Sequence, residues 1–119
     1  MSKLTDPTKL LALETSGALC SVAIHADGIW TEDTQNVARL HNQVLLGQID
    51  GLVRRVGVSP RDFDVIAFGA GPGSFTGVRI AAAVAQALAF ASGAVVVPVP
   101  SSRALTDAAL ELARLRGAA

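Results

Sequence analysis

Residues 69–80 read Gly69-Ala70-Gly71-Pro72-Gly73-Ser74-Phe75-Thr76-Gly77-Val78-Arg79-Ile80. The short apolar run Val65-Ile66-Ala67-Phe68 comes before it and fits a buried strand. After it, residues 76–90 are rich in Ala and Leu, with no Pro and no Gly beyond Gly77, which fits a helix. The stretch therefore reads as strand, glycine-rich turn, helix. Such a turn aims free backbone N–H groups above a sheet edge, and the helix N-terminus adds positive dipole character. A Walker A loop is excluded, because no lysine follows Lys9. A nucleophile elbow is excluded too, since Pro72 and Thr76 flank Ser74 where glycines are needed. The third glycine of a dinucleotide fingerprint is missing after Gly69 and Gly71. Four glycines, a proline, two hydroxyls and an arginine so close together point to a functional loop.

The 119 residues suffice for one domain with a real core, and 50% of them are hydrophobic. Lys and Arg number 10, as do Asp and Glu, so no basic field draws nucleic acid by charge alone. Aromatics make up 4%, too few for base-stacking platforms, so any RNA role needs a partner to hold most of the RNA. Cys20 is the one cysteine, which rules out an internal disulfide and suits a reducing, cytoplasmic setting. The polar start of the chain does not read as a signal peptide. The longest apolar stretch, residues 80–91, contains Gln86 and is too short to span a membrane.

Taken in order, Leu10-Leu11-Ala12-Leu13 reads as a central strand, and residues 14–18 as a turn. Residues 20–25 form a second strand, Asp27-Gly28 a hairpin signal, and residues 29–35 a more polar third strand near an edge. From Val37 the period changes: Val37, Leu40, Val44, Leu45, Ile49, Leu52, Val53 and Val56 mark an amphipathic helix that stops at Gly57. The second helix is apolar nearly all round. Val78, Ala81, Ala82, Ala85 and Leu88 share one face; Ile80, Val84, Ala87 and Ala91 share another. Residues 94–99 read as a fifth strand, and Ser101 or Ser102 is placed to cap a third helix running to about Arg116. The order is βββαβαβα. It predicts an α/β fold with a five-stranded mixed sheet, strand one beside strand four, strand five beyond it, and helices on both faces. Residues 14–18 and 69–76 then meet at the carboxyl edge of the parallel strands, where an open α/β sheet receives ligands.

This order resembles that of a ribonuclease H-like lobe of the actin, Hsp70 and hexokinase superfamily. Leu11-Ala12-Leu13-Glu14-Thr15-Ser16, Cys20-Ser21-Val22-Ala23-Ile24, the run from Gly71 to Ile80, His41 and Pro98-Val99-Pro100-Ser101-Ser102 resemble the TsaB (YeaZ) family. The resemblance covers essentially the whole chain, and the run from Gly71 to Arg79 is highly specific. It implies a non-catalytic subunit in bacterial tRNA threonylcarbamoyladenosine formation. The larger TsaD paralogue transfers the threonylcarbamoyl group to adenosine 37 of tRNAs reading ANN codons, and the ATPase TsaE joins the complex. It also implies a homodimer in isolation and a heterodimer with the paralogue, with tRNA reached through the complex alone. The older glycoprotease label of the family is not carried over. Members have two lobes with a nucleotide cleft between them, so residues 1–119 are expected to form the first lobe alone, and ATP or ADP to bind only in an assembled complex. Many members carry Asp where this sequence has Glu14.

No metal site is expected, because His25 and His41 lack the His-x-x-x-His spacing of the paralogue. No catalytic residue is expected either: Ser74 and Thr76 have no histidine near them in sequence. Glu14, Thr15, Ser16, Gly71, Gly73 and Ser74 are weak candidates for phosphate or nucleotide contact. His41, Leu46, Val78, Arg79, Ala82 and Ala85 are expected at a helix-mediated partner interface. Two other readings remain: a small-molecule kinase or acyl transferase of the same superfamily, and a self-associating domain without a tRNA role.

Overall fold

A computed structural model describes residues 9–15, 19–36, 41–70 and 75–100. Its strands are β1 (Leu10–Glu14), β2 (Leu19–Ala26), β3 (Ile29–Asn36), β4 (Val65–Gly69) and β5 (Val95–Val99). Two helices, α1 (His41–Val56) and α2 (Phe75–Ser92), and a 3-10 turn, Pro60–Asp62, complete the described elements. The sheet order is β3-β2-β1-β4-β5. β1 pairs antiparallel with β2 and parallel with β4; β4 pairs parallel with β5. The mixed five-stranded sheet expected above is the one observed.

Local chemistry explains the connections. Asp27 and Gly28 both have positive φ, 54° and 77°, as a type I′ hairpin turn requires. α1 ends where Gly57 takes a φ of 85° and the Val58 N–H reaches back to the Val53 carbonyl at 3.0 Å, a Schellman closure. α2 ends similarly at Gly93, where the Ser92 hydroxyl donates to the Leu88 carbonyl and accepts from the Ala94 N–H. Ser59 and Asp62 form a capping box on the 3-10 turn. Asp64 ties the strand starts together: its carboxylate accepts from the Lys9 N–H, its N–H donates to the Lys9 carbonyl, and its carbonyl accepts from Val95. Pro98 lies in the edge strand β5, where its missing donor is tolerated.

The pleat splits the sheet into two faces. One carries Leu11, Leu13, Cys20, Val22, Ile24, Ile66 and Phe68, and packs against Leu45, Ile49, Leu52 and Val53 of α1 and Ala81, Ala85 and Ala89 of α2. Each fully buried Leu or Ile here stabilises the fold by about 1.5–3 kcal/mol. The other carries a second cluster of Leu10, Ala12, Ala23, Val65, Ala67 and Val99, with Trp30 and Val97 against it. Both described α-helices lie on the first face. The third helix expected over 101–116, and the start of the first helix at 37–40, lie outside the described residues.

One packing expectation is corrected. Ala85 is 0% exposed, and Ala82 packs half-buried against the same core. Ala85 therefore belongs to the core and not to a partner interface. The reason is geometric: β4 and β1 lie under α2, and alanine lets the helix sit close to them. Ile80 and Val84, on the other face named above, also pack against this core. The exposed arc runs through Arg79, Ala83 and a 94% exposed Phe90 and takes in Ala87 and Ala91 of that second face.

Candidate functional site

Parallel pairing brings the carboxyl ends of β1 and β4 together, with Leu13 beside Phe68. The next residue on each strand, Glu14 and Gly69, therefore shares the opposite face. A Cβ on Gly69 would collide with both carboxylate oxygens and the carboxyl carbon of Glu14. So Glu14 folds over Gly69, the first glycine of the stretch read above, and its carboxylate occupies the space a side chain there would take. Thr15 turns to the other face, is fully buried, and its hydroxyl donates to the Gly77 carbonyl in the first turn of α2. The Ala70 N–H donates to the Val99 carbonyl at 2.7 Å, fastening the end of β4 to the end of β5. Next to Glu14 across the sheet is Ser21, whose hydroxyl lies 2.9 Å from that of Thr34. A polar row thus crosses the carboxyl rim from β3 to β4.

The structure brings Glu14 and Thr15 to the foot of the glycine-rich stretch, as expected. Ser16, Gly71, Gly73 and Ser74 lie outside the described residues. His41 opens α1, and its side chain also lies outside them. His25 is buried on the second face with its ring 4.9 Å from that of Trp30, and its Nδ1 has no hydrogen-bond partner. Among the described residues, no three His, Cys, Asp or Glu side chains gather to hold a metal. Of the expected interface residues, Leu46 is 56% exposed on α1, Arg79 is exposed on α2, and Val78 is half-buried.

Sequence reasoning missed Gln48. This buried side chain of α1 donates to the Cys20 carbonyl at 2.8 Å, the Asp33 carboxylate at 2.8 Å and the Asp33 carbonyl at 3.1 Å. It clamps α1 to β2 and β3, while its Oε1 has no partner. A polar residue inside an apolar stripe is the signal that could have found it. Above it, Asp33 and Gln35 of β3 face Gly47, Gly51 and Arg55 of α1 across a groove of about 430 Å³. Burial first, and the Asp33 charge second, push the Cys20 thiol up to about 11, so it stays protonated and inert at neutral pH. Exposed Gly47 and Gly51 sit one turn apart on α1, and nothing lies within 4 Å of a Cβ added at either. On α2 the exposed residues include Ala83, Ala87 and the large Phe90, and on α1 the large Leu46 is exposed. None of the described helices is long and apolar enough to cross a membrane.

Residues 29–115 match the family described as "TsaD: tRNA N6-adenosine threonylcarbamoyltransferase". The chain is 43% identical over 103 residues to the tRNA threonylcarbamoyladenosine biosynthesis protein TsaB of Haemophilus influenzae, covering 87% of this chain and 44% of that protein. It is 40% identical over 81 residues to the TsaB of Escherichia coli, covering 68% of this chain and 35% of that one. Among solved structures, YeaZ from Pseudomonas aeruginosa superposes with a TM-score of 0.78 at 43% identity, over 87% of this chain and 49% of that one. The chain thus spans less than half the length of these relatives. Agreement in sequence and backbone together shows that the chain belongs to the TsaB (YeaZ) family, matching the N-terminal portion of its larger members.

Proposed function

We propose that this chain works by docking: it is a non-catalytic subunit in the formation of N6-threonylcarbamoyladenosine at position 37 of tRNAs reading ANN codons. Its partner is the TsaD paralogue, which carries the chemistry; TsaE and tRNA are reached through the complex in the cytoplasm. The observation that carries this reading is the outer face of α1 and α2. Leu46 exposes 56% of its surface on α1, and Phe90 exposes 94% on α2, where the small Ala83 and Ala87 are exposed as well. Large exposed apolar side chains mark interaction surfaces, and small residues let a partner's helices approach closely. The names of the curated relatives place those proteins in threonylcarbamoyladenosine biosynthesis. The same face serves a homodimer in isolation, so self-association competes with the paralogue.

The test mixes the purified chain with the TsaD paralogue from the same cell and measures the complex by sedimentation. The parent chain forms it; Ala87→Arg and Phe90→Ser weaken it by at least about tenfold while remaining folded. Given tRNA, threonine, bicarbonate and ATP, the chain without partners makes no modified adenosine. Product formed without partners, or binding unchanged in both variants, overturns the reading.

A further inference from the structure

The sheet has two outer edges, one along β3 and one along β5, and no described strand pairs with either. β3 holds Glu32 and Asp33, and charge keeps an edge from joining other strands. β5 reads Val95-Val96-Val97-Pro98-Val99 and carries no charge. Apart from its proline it has the composition of a segment that stacks with its own copies: β-branched, apolar and neutral. Val95 is 47% exposed there.

Register decides which backbone groups of β5 face outward. The Val95 N–H donates to the Asp64 carbonyl, and the Val99 carbonyl accepts from the Ala70 N–H. Val95, Val97 and Val99 therefore turn their N–H and C=O groups toward β4, since these groups alternate sides along a strand. Val96 and Pro98 turn theirs away. The proline thus stands where β4 loses no donor and where a new strand would need one. Pro100, the next position of that parity, has no N–H either. If two β5 edges met antiparallel about Val97, Val96 of each copy would face Pro98 of the other. Such a facing pair normally exchanges both of its hydrogen bonds, and here it loses one of them.

We propose that Pro98 closes the outer edge of β5 to a second copy of this chain, and that Pro100 extends the block. The valine-rich strand then stays the end of the sheet, and self-association is left to other surfaces. Closure of this edge does not depend on docking through the helices, so either can fail without the other.

Hydrogen exchange read residue by residue tests the geometry in the parent chain. The Val96 N–H exchanges at least about tenfold faster than the Val97 N–H, which β4 holds. Equal protection of the two overturns the proposal, because the edge is then covered already. Sedimentation and thioflavin fluorescence test the block itself. Pro98→Val restores a donor on each copy, which strengthens edge pairing by roughly ten- to a hundredfold. Well below its Tm and at high micromolar concentration, this variant forms large thioflavin-positive assemblies, while the parent keeps one small size. Adding Val95→Lys to Pro98→Val puts a charge on the same edge and returns the chain to the parent's size. A Pro98→Val chain that keeps the parent's size overturns the proposal. So does a double variant that assembles as fast as Pro98→Val, because the assembly then comes from unfolding and not from the edge.

Discussion

Helix α1 buries Leu45, Ile49, Leu52 and Val53 and exposes Asp50, Arg54 and Arg55. Helix α2 buries Ala81, Ala85 and Ala89 and exposes Ala83, Ala87 and Phe90. In the first helix the buried side is written in residue type, because polar and apolar residues have opposite preferences for water. In the second, alanine stands on both sides. Alanine loses little by exposure and gains little by burial, so its position does not mark the core. The difference teaches that periodicity finds the buried face of a helix only when the opposite face is polar. Where it is not, the sheet beneath decides.

The sharpest way to break this comparison is a charge placed on either side of α2. Ala85→Arg puts an unpaired cation against the core of β1 and β4. That costs several kcal/mol, comparable with the net stability of a domain this size, about 5–15 kcal/mol. The variant is expected to be unfolded by circular dichroism at 25 °C. Ala87→Arg, two residues on, keeps the parent's Tm within about 3 °C. Two folded variants with equal melting points mean that the helix is rotated from the orientation described.

On α1 the expected effect is smaller and graded. Leu52 is 1% exposed, so Leu52→Ala leaves a cavity and costs about 2–5 kcal/mol, read by urea unfolding. A loss under about 1 kcal/mol would mean that α1 packs loosely.

The smallest effect has the opposite sign. Gly51 is exposed in mid-helix with open space where a Cβ would go. Gly51→Ala should stabilise the chain by about 1 kcal/mol in urea. A variant that is less stable than the parent shows that the glycine answers to something within the fold.

Much of the architecture was legible because it is local. The Asp27-Gly28 turn needs positive φ at two adjacent positions, and few other pairs supply it. Gly57 announces the end of α1 because a left-handed residue closes the Schellman turn. The apolar run at residues 10–13 reads as a central strand and that at 65–68 as a buried one, and both strands are buried on both faces. Gly69 was legible as part of a special turn, but its neighbour was not. That neighbour is a side chain 55 positions earlier, brought over it by parallel pairing.

Local dihedral preference and hydrophobic period, both set by near neighbours, determined the strands, the hairpin, the helix stops and hence the order of elements. Register and packing decided the rest. They put Glu14 on Gly69, Thr15 on Gly77 and Gln48 between Cys20 and Asp33, and they turned Ala85 inward and Ala87 out. These contacts join residues far apart in the chain, and residue type alone does not say which distant neighbour the pleat will set beside which. A one-residue slip between β1 and β4 would move Glu14 away from the glycine that makes room for it.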